Sequence, residues 1–294
     1  MTHDHLPLSV PLVSPNAEAA VKLRAELAEI CARTESLAVE PGPLNETVLH
    51  GRGELELDTM IDYLKRGQGH DFQAGAPQVA YREAITKTIE WDYTYKRQTG
   101  GLGYYAKVKI RIAPGAPGSG VRFDTAAGDA VPAVFISAVL KGLRTAASQG
   151  PIAGFPLLDL HCTLVDGGYH DVDSTRETFE IAARACLREA LPMAGPRLLQ
   201  PMMLAVVLTP ERFIGDVAGD LNSRRPQVSD MASHGTAQVI TATVPLANMF
   251  GYPSALRSMT RGQAQCVMMF SHYEAVPLRP GPGDDDFRPA MALR

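Results

Sequence analysis

The 294 residues contain no G-x-x-x-x-G-K-[ST] segment, and no glycine-rich loop stands between a strand pattern and a helix pattern where backbone N–H groups would cradle phosphates. A nucleoside triphosphate therefore has no recognisable seat. Neither a G-x-S-x-G elbow nor an H-E-x-x-H helix occurs, which argues against hydrolase chemistry and leaves no catalytic residue, metal site or cofactor to name. Cysteine is scarce. Cys31, Cys162, Cys186 and Cys266 are widely separated, with no C-x-x-C pair for a zinc ribbon or a redox couple, and are expected to be buried free thiols. Apolar runs such as MMLAVVL at 202–208 fall well short of the roughly 18 residues needed to span a bilayer. The N-terminus MTHDHLPLSV has no cationic segment leading into an apolar one, so no membrane partner is indicated and a cytosolic location is expected.

A basic excess is also missing. Lys and Arg number 28 against 32 Asp and Glu, and the acidity is concentrated at the start, with 6 basic and 12 acidic residues in 1–75. Binding nucleic acid by bulk electrostatics requires a cationic surplus, because each neutralised phosphate releases counterions. No DNA partner is expected, and any RNA contact must be local and set by shape.

What is present reads as α+β. LSVPLV forms a strand, and Ser14-Pro15 has the form of a hydroxyl N-cap followed by a helix-starting proline. Ala17, Ala20, Val21, Leu23, Leu27, Ile30 and Cys31 then recur close to one helical face. Turn residues Glu40-Pro41-Gly42-Pro43 precede a strand near Thr47–His50, and Leu57, Met60, Ile61 and Leu64 mark a second helix that stops near Gly67. The order is that of a split βαβ sandwich. Residues 197–280 repeat the plan, with LAVVL, a Thr209-Pro210 helix start, QVSDM, AQVITATV, a helix through Leu246–Leu256 and QCVMMFSHY as a buried closing strand. Between them, 76–196 carries strands around Ala84–Trp91 and Tyr104–Ile112 and a flexible PGAPGSG stretch. Helices over Val134–Ala147 and Thr175–Leu191 and a strand over Leu157–Val165, ending at the Asp166-Gly167-Gly168 turn, complete that segment. The tail 281–294, rich in Pro, Gly and Asp, is expected to be mobile.

Six motifs follow one another along the chain: GRGELELD at 51–58, GAPQVAYRE at 75–83, QTGGLGYYAKV at 98–108, DGGYHDVDS at 166–174, GDVAGDLNSRR at 215–225 and PLANMFGY at 245–252. In order and spacing they resemble the C-terminal portion of translation elongation factor G. The resemblance implies domain III at 1–75, domain IV at 76–196 and domain V at 197–280. The fold is then two ferredoxin-like sandwiches flanking a domain like the second domain of ribosomal protein S5. It also implies the ribosome-facing half of a translocase without its GTPase. In the family the 166–174 loop and the Gln98–Gly103 loop form the tip of domain IV, which enters the decoding region, and domain V lies against the large subunit.

By that resemblance the RNA-contacting candidates are Gln98, Gly100, Gly101, Lys107, His170, Asp171, Arg224 and Arg225, with rRNA of both subunits as partner. An imidazole such as His170 can hydrogen-bond a phosphate or a 2′-hydroxyl and can stack on a base. His170, Asp171 and Asp173 could also suggest a metal, but neighbouring residues on an extended segment point to alternate sides and converge poorly. Arg224 and Arg225 end a helix, where cations complement its dipole without any ligand. Departures from the family pattern occur at Leu102, which stands where a basic residue is usual, at Arg52 and Glu56, and at Pro226. In the family the cleft between domains III and V receives the antibiotic argyrin; Ser9, His50 and Tyr252 are the candidate lining. Two further readings follow: a decoy that sequesters an antibiotic peptide, and a piece of an ordinary translocation GTPase.

Overall fold

The computed structural model describes residues 6–99, 102–226, 228–234 and 237–277. The tip glycines Gly100 and Gly101 and the tail 281–294 lie outside the described residues. The chain forms two compact units, one drawing on residues up to 80 and on 200–274, the other on 81–199 with 275–277.

The first unit opens with β1 (Leu8–Val13), α1 (Ala17–Cys31), β2 (Leu37–Pro41), β3 (Glu46–Gly51), α2 (Glu54–Asp62) and the short β4 (Gln73–Ala74) and β5 (Gln78–Val79). The sheet order β2-β3-β1-β4, antiparallel throughout, is that of the split βαβ sandwich. Along β1, Leu8, Val10 and Leu12 alternate inward to full burial, and Leu23 and Leu27 of α1, Leu57 of α2 and Leu64 just after it are buried as well. Each such leucine contributes roughly 1.5–3 kcal/mol of transfer free energy. The first helix starts two residues later than Ser14-Pro15 suggests: Asn16 is the cap, its Oδ1 accepting the Ala19 N–H at 2.8 Å, while the Ser14 hydroxyl is buried without a partner. Glu40-Pro41 belongs to β2 rather than to a turn. Pro41 ends an edge strand, where its missing N–H breaks no ladder.

The second unit contains β6 (Arg82–Ile85), β7 (Ile89–Thr99), β8 (Leu102–Pro114), β9 (Arg122–Thr125), α3 (Ala133–Ala147), β10 (Leu160–Gly168), α4 (Arg176–Met193) and the first residues of β11 (Pro196–Pro210), where Pro196–Leu199 pairs with β6. Four strands run in the order β7-β8-β10-β9, and α3 and α4 pack together over the core centred on Ile110, Leu143, Leu164, Phe179 and Leu187. Two expectations change here. The PGAPGSG stretch is pinned by Asp159, whose carboxylate accepts the Gly118 and Gly120 N–H groups at 3.0 and 2.9 Å, and it leads into β9, which pairs parallel with β10. Asp166-Gly167-Gly168 is not a turn but the end of β10, with a register shift after Leu164.

The rest of β11 returns to the first unit and joins α5 (Ile214–Ser223), β12 (Val228–His234), β13 (Ala237–Pro245), α6 (Tyr252–Met259) and β14 (Gln265–Ala275) in the order β12-β13-β11-β14. Thr209 and Pro210 end the strand, and a 3-10 turn at Glu211–Phe213 leads into α5. The helix expected through Leu246–Leu256 is broken in two, because Gly251 adopts a left-handed φ of 67° and starts α6 afresh. β14 is not buried: exposed and half-buried residues alternate, with Val267 and Met269 turned outward and Cys266 and Met268 packed on the core. All four thiols are free; Cys162 and Cys186 are buried, while Cys31 and Cys266 are only partly so.

Candidate functional site

The two candidate tip loops come from segments about seventy residues apart, and the sheet brings them to one end. β7 and β8 form a long hairpin whose last paired residues are Thr99 and Leu102, with Gln98 opposite Gly103. β10 lies on the other side of β8 and ends with Gly168 opposite Lys107, so the 169–174 segment leaves the sheet beside that hairpin. Ser174 fastens it there. Its Oγ accepts the His170 N–H at 2.9 Å and donates to the Tyr105 carbonyl at 2.7 Å, while the Tyr105 N–H donates to the Asp173 carbonyl at 2.9 Å. Gly103 has no side chain where the Asp173 carboxylate sits: a Cβ there would lie 2.6 Å from its Cγ.

His170 stands out from this clasp with 59% of its side chain exposed. Its Nδ1 lies 3.4 Å from the N–H groups of Val172 and Asp173 and 3.5 Å from the Asp173 carboxylate. With Nδ1 turned to the loop backbone and the Asp173 carboxylate, Nε2 is the ring nitrogen without a partner among the described residues. Asp171 and Val172 are exposed beside it. No group of three metal-ligating side chains converges among the described residues.

The two lysines at the hairpin's base differ. Lys109 is tied to Glu90 at 3.0 Å, together with Arg111 at 2.6 Å. The hydrogen bond from Arg111, and then that from Lys109, hold the Glu90 carboxyl below its ordinary range. Lys107 forms no ion pair among the described residues and, like the exposed Arg97, is a positive charge left available near the tip. The two arginines also separate. Arg224 is built into its own domain: Nε donates to Asp220 at 2.8 Å, Nη1 donates to the Asn248 carbonyl at 2.7 Å, and the guanidinium lies 4.8 Å from the centroid of the Tyr252 ring. Arg225, left-handed at φ 59°, is exposed.

Of the candidate cleft residues, Ser9 and His50 sit directly opposite each other on β1 and β3. Both ring nitrogens of His50 are enclosed without a hydrogen-bond partner, and Nε2 lies 3.5 Å from the Glu40 carboxylate. Tyr252 is fully buried in the core of the other sheet of this unit, its hydroxyl also without a partner, and burial pushes its phenol above the ordinary range. One hydrogen bond joins the two neighbourhoods, from the Gly251 N–H to Glu54 Oε2 at 3.4 Å. Glu56 has a local role. It accepts the Arg52 N–H at 3.1 Å and a hydrogen bond from the Ser36 hydroxyl, closing the start of α2 in the manner of a capping box.

Sequence reasoning missed Tyr105, Ser174 and Gly103 as the parts that hold the tip together. Ser174 ends the DGGYHDVDS motif, but its partner is 69 residues away, and nothing in either local pattern indicates the bond.

Comparison with known families and structures agrees with this geometry. The model of elongation factor G, domain IV, matches residues 77–195, and that of the elongation factor G C-terminus matches 197–281. A Thermus thermophilus protein of known crystal structure is similar over 92% of this chain, at 34% identity and a TM-score of 0.69. The chain spans 40% of that protein's length.

Proposed function

Because the chain belongs, through its matched residues 77–281, to the elongation factor G family, we propose that it binds the ribosomal factor site and places its β7–β8 and 169–174 loops against RNA of the decoding region. The observation that carries this reading is the clasp of Ser174, Tyr105 and Asp173, which holds the two loops as one preorganised tip with His170 projecting from it. His170 donates from Nε2 to a phosphate or 2′-hydroxyl, Lys107 adds one positive charge, and Arg225 offers a second contact on the other unit. With domains III, IV and V at 1–75, 76–196 and 197–280, domain IV acts by occupying space at the A site while the outer two anchor it. The 294 residues contain no phosphate-binding loop, so this segment itself supplies occupancy rather than GTP turnover. In sedimentation with purified 70S ribosomes across a salt series, the chain is expected to pellet with the ribosomes and to show a shallow salt slope, in keeping with its formal charge of −4. Absence from the pellet at low salt rejects the reading.

One observation favours a second reading, sequestration of an antibiotic peptide between domains III and V. Nδ1 of His50 and the Tyr252 hydroxyl are enclosed with no hydrogen-bond partner, and such groups are stabilised by a ligand that supplies hydrogen bonds. Calorimetry with an argyrin-like peptide checks it: micromolar binding that is lost in His50→Leu supports sequestration, and no heat at that concentration removes it.

A further inference from the structure

Beside the tip, on the helix-facing side of the hairpin, a trough opens between β7 and α4. Tyr95 and Arg97 follow each other on one face of β7, and Tyr104 stands opposite Arg97 on β8. With Glu177 and Ile181 of α4 they surround a cavity of about 340 Å³. Ile181 is shared with a second cavity of about 390 Å³ that continues along α4 past Arg184 and Arg188. Both are open to solvent, hollows on the surface rather than enclosed cavities.

The lining is unusual for a surface that needs only to be solvated. Tyr104 is 37% and Ile181 45% exposed, so apolar faces are open to solvent. Trp91, Tyr93 and Tyr95 occupy alternate positions of β7, about 6.7 Å apart by strand geometry, all half-packed on the core beneath. Arg97 is exposed and forms no ion pair among the described residues. Arg184 bonds Glu180 through Nη2 at 3.0 Å, but its Nε is enclosed with no acceptor. Thr175 contributes nothing free, since its Oγ1 already accepts the Thr178 N–H at 3.1 Å.

Aromatic faces beside an uncommitted guanidinium group, that of Arg97, are what single-stranded nucleic acid requires: bases stack on the rings and a phosphate meets the cation. A duplex does not fit such a trough, because its bases are already stacked. We propose that this trough is a second RNA site, separate from the tip loops, which takes two or three unpaired nucleotides. One base stacks between Tyr95 and Tyr104, and the adjoining phosphate meets Arg97. The Glu177 carboxylate at the tip-side cavity repels phosphate and accepts from the exocyclic amino group of a base, which favours adenine, guanine or cytosine over uracil. The proposal rests on the reading that this unit meets RNA, but it involves different residues from those of the tip.

The test uses the whole 294-residue chain and fluorescence anisotropy with a labelled hexanucleotide RNA at low salt. Oligoadenylate is expected to bind, with an RNA duplex competing at least about tenfold more weakly and oligouridylate binding less tightly. Tyr104→Ala should weaken binding about tenfold while Tyr104→Phe binds like the parent, and Arg97→Gln should reduce the salt slope by about 0.7. Circular dichroism establishes that each variant is folded. His170→Ala should leave hexanucleotide binding unchanged while lowering ribosome sedimentation, which separates this site from the tip. No anisotropy change at about 100 micromolar protein, on the order of a non-specific dissociation constant, overturns the proposal, as does equal competition by duplex. A Tyr104→Ala variant that binds like the parent also overturns it. Absence of the unsubstituted chain from the ribosome pellet, with oligonucleotide binding retained, would count against the tip alone.

Discussion

Glu83→Ala is expected to destabilise the second unit by about 3 kcal/mol, because it removes the acceptor shared by three backbone donors of a part-buried loop. The carboxylate is 0% exposed. Oε2 accepts the Ile152 N–H at 2.8 Å, and Oε1 accepts those of Ala153 at 2.8 Å and Phe155 at 3.1 Å. The backbone of Glu83 also holds this connection: its N–H donates to the Pro156 carbonyl at 3.0 Å, and its carbonyl accepts the Leu158 N–H at 2.8 Å. The whole link from α3 to β10 is thus wrapped around one side chain of β6. Gly150 completes the arrangement, since a Cβ there would overlap the carboxylate. Glu83→Gln keeps the shape but turns one acceptor into a donor facing an N–H, and should cost about 2 kcal/mol, less than the alanine variant. Urea unfolding followed by a probe in the second unit, such as the single tryptophan Trp91, measures both. A glutamine variant whose midpoint matches the parent would show that the carboxylate is not what orders the loop.

The importance of Glu83 could not be read from its neighbours in sequence. GAPQVAYRE places it at the end of a family motif, but an acidic residue beginning a short strand reads as solvent-facing unless its acceptors' partners are known, and these lie about seventy residues on. The same distinction runs through the molecule. Helices and strands with a strong period were legible: Leu23 and Leu27, Leu8 to Leu12 and Val217 to Leu221 lie on the faces that their spacing indicates. Local choices between competing caps were not. Ser14-Pro15 has the ideal form of a helix start, but Asn16 takes the cap and Ser14 is buried. β9 was hidden because Arg122–Thr125 has no apolar alternation; its pairing with β10 depends on the Asp159 carboxylate fixing the preceding turn. QCVMMFSHY, apolar on both faces, read as buried, but apolar character alone does not say that anything covers the outer face. For the candidate site, the motifs located the two loops, and His170 does project from them. Arg224 was a candidate by the family resemblance, and its ties to Asp220, the Asn248 carbonyl and the Tyr252 ring were not legible in the local pattern.

Gly103→Val is expected to lower ribosome association by one to two orders of magnitude while changing global stability by no more than about 1–2 kcal/mol, because the strain is confined to the tip. A Cβ at this position would stand 2.6 Å from Cγ and Oδ2 of Asp173 and 2.7 Å from Oδ1, closer than non-bonded atoms tolerate. The Asp173 carboxylate has to swing aside, because the backbone that carries it is held. The Asp173 carbonyl accepts the Tyr105 N–H, its carboxylate faces Nδ1 of His170, and the following residue, Ser174, makes the bonds that close the loop. A branched side chain at 103 therefore pushes the carboxylate away from Nδ1 of His170 and misdirects the imidazole, and a displacement of about an ångström is enough to lose a positioned contact. The cause is checked with a second substitution. Asp173→Ala removes the carboxylate that clashes, so the double variant Gly103→Val/Asp173→Ala should sediment with ribosomes better than Gly103→Val alone, a coupling that a double-mutant cycle measures directly. If the Gly103→Val chain pellets as the parent does, the two loops do not act as a single tip, and the proposed mode of ribosome contact is wrong at its geometric base.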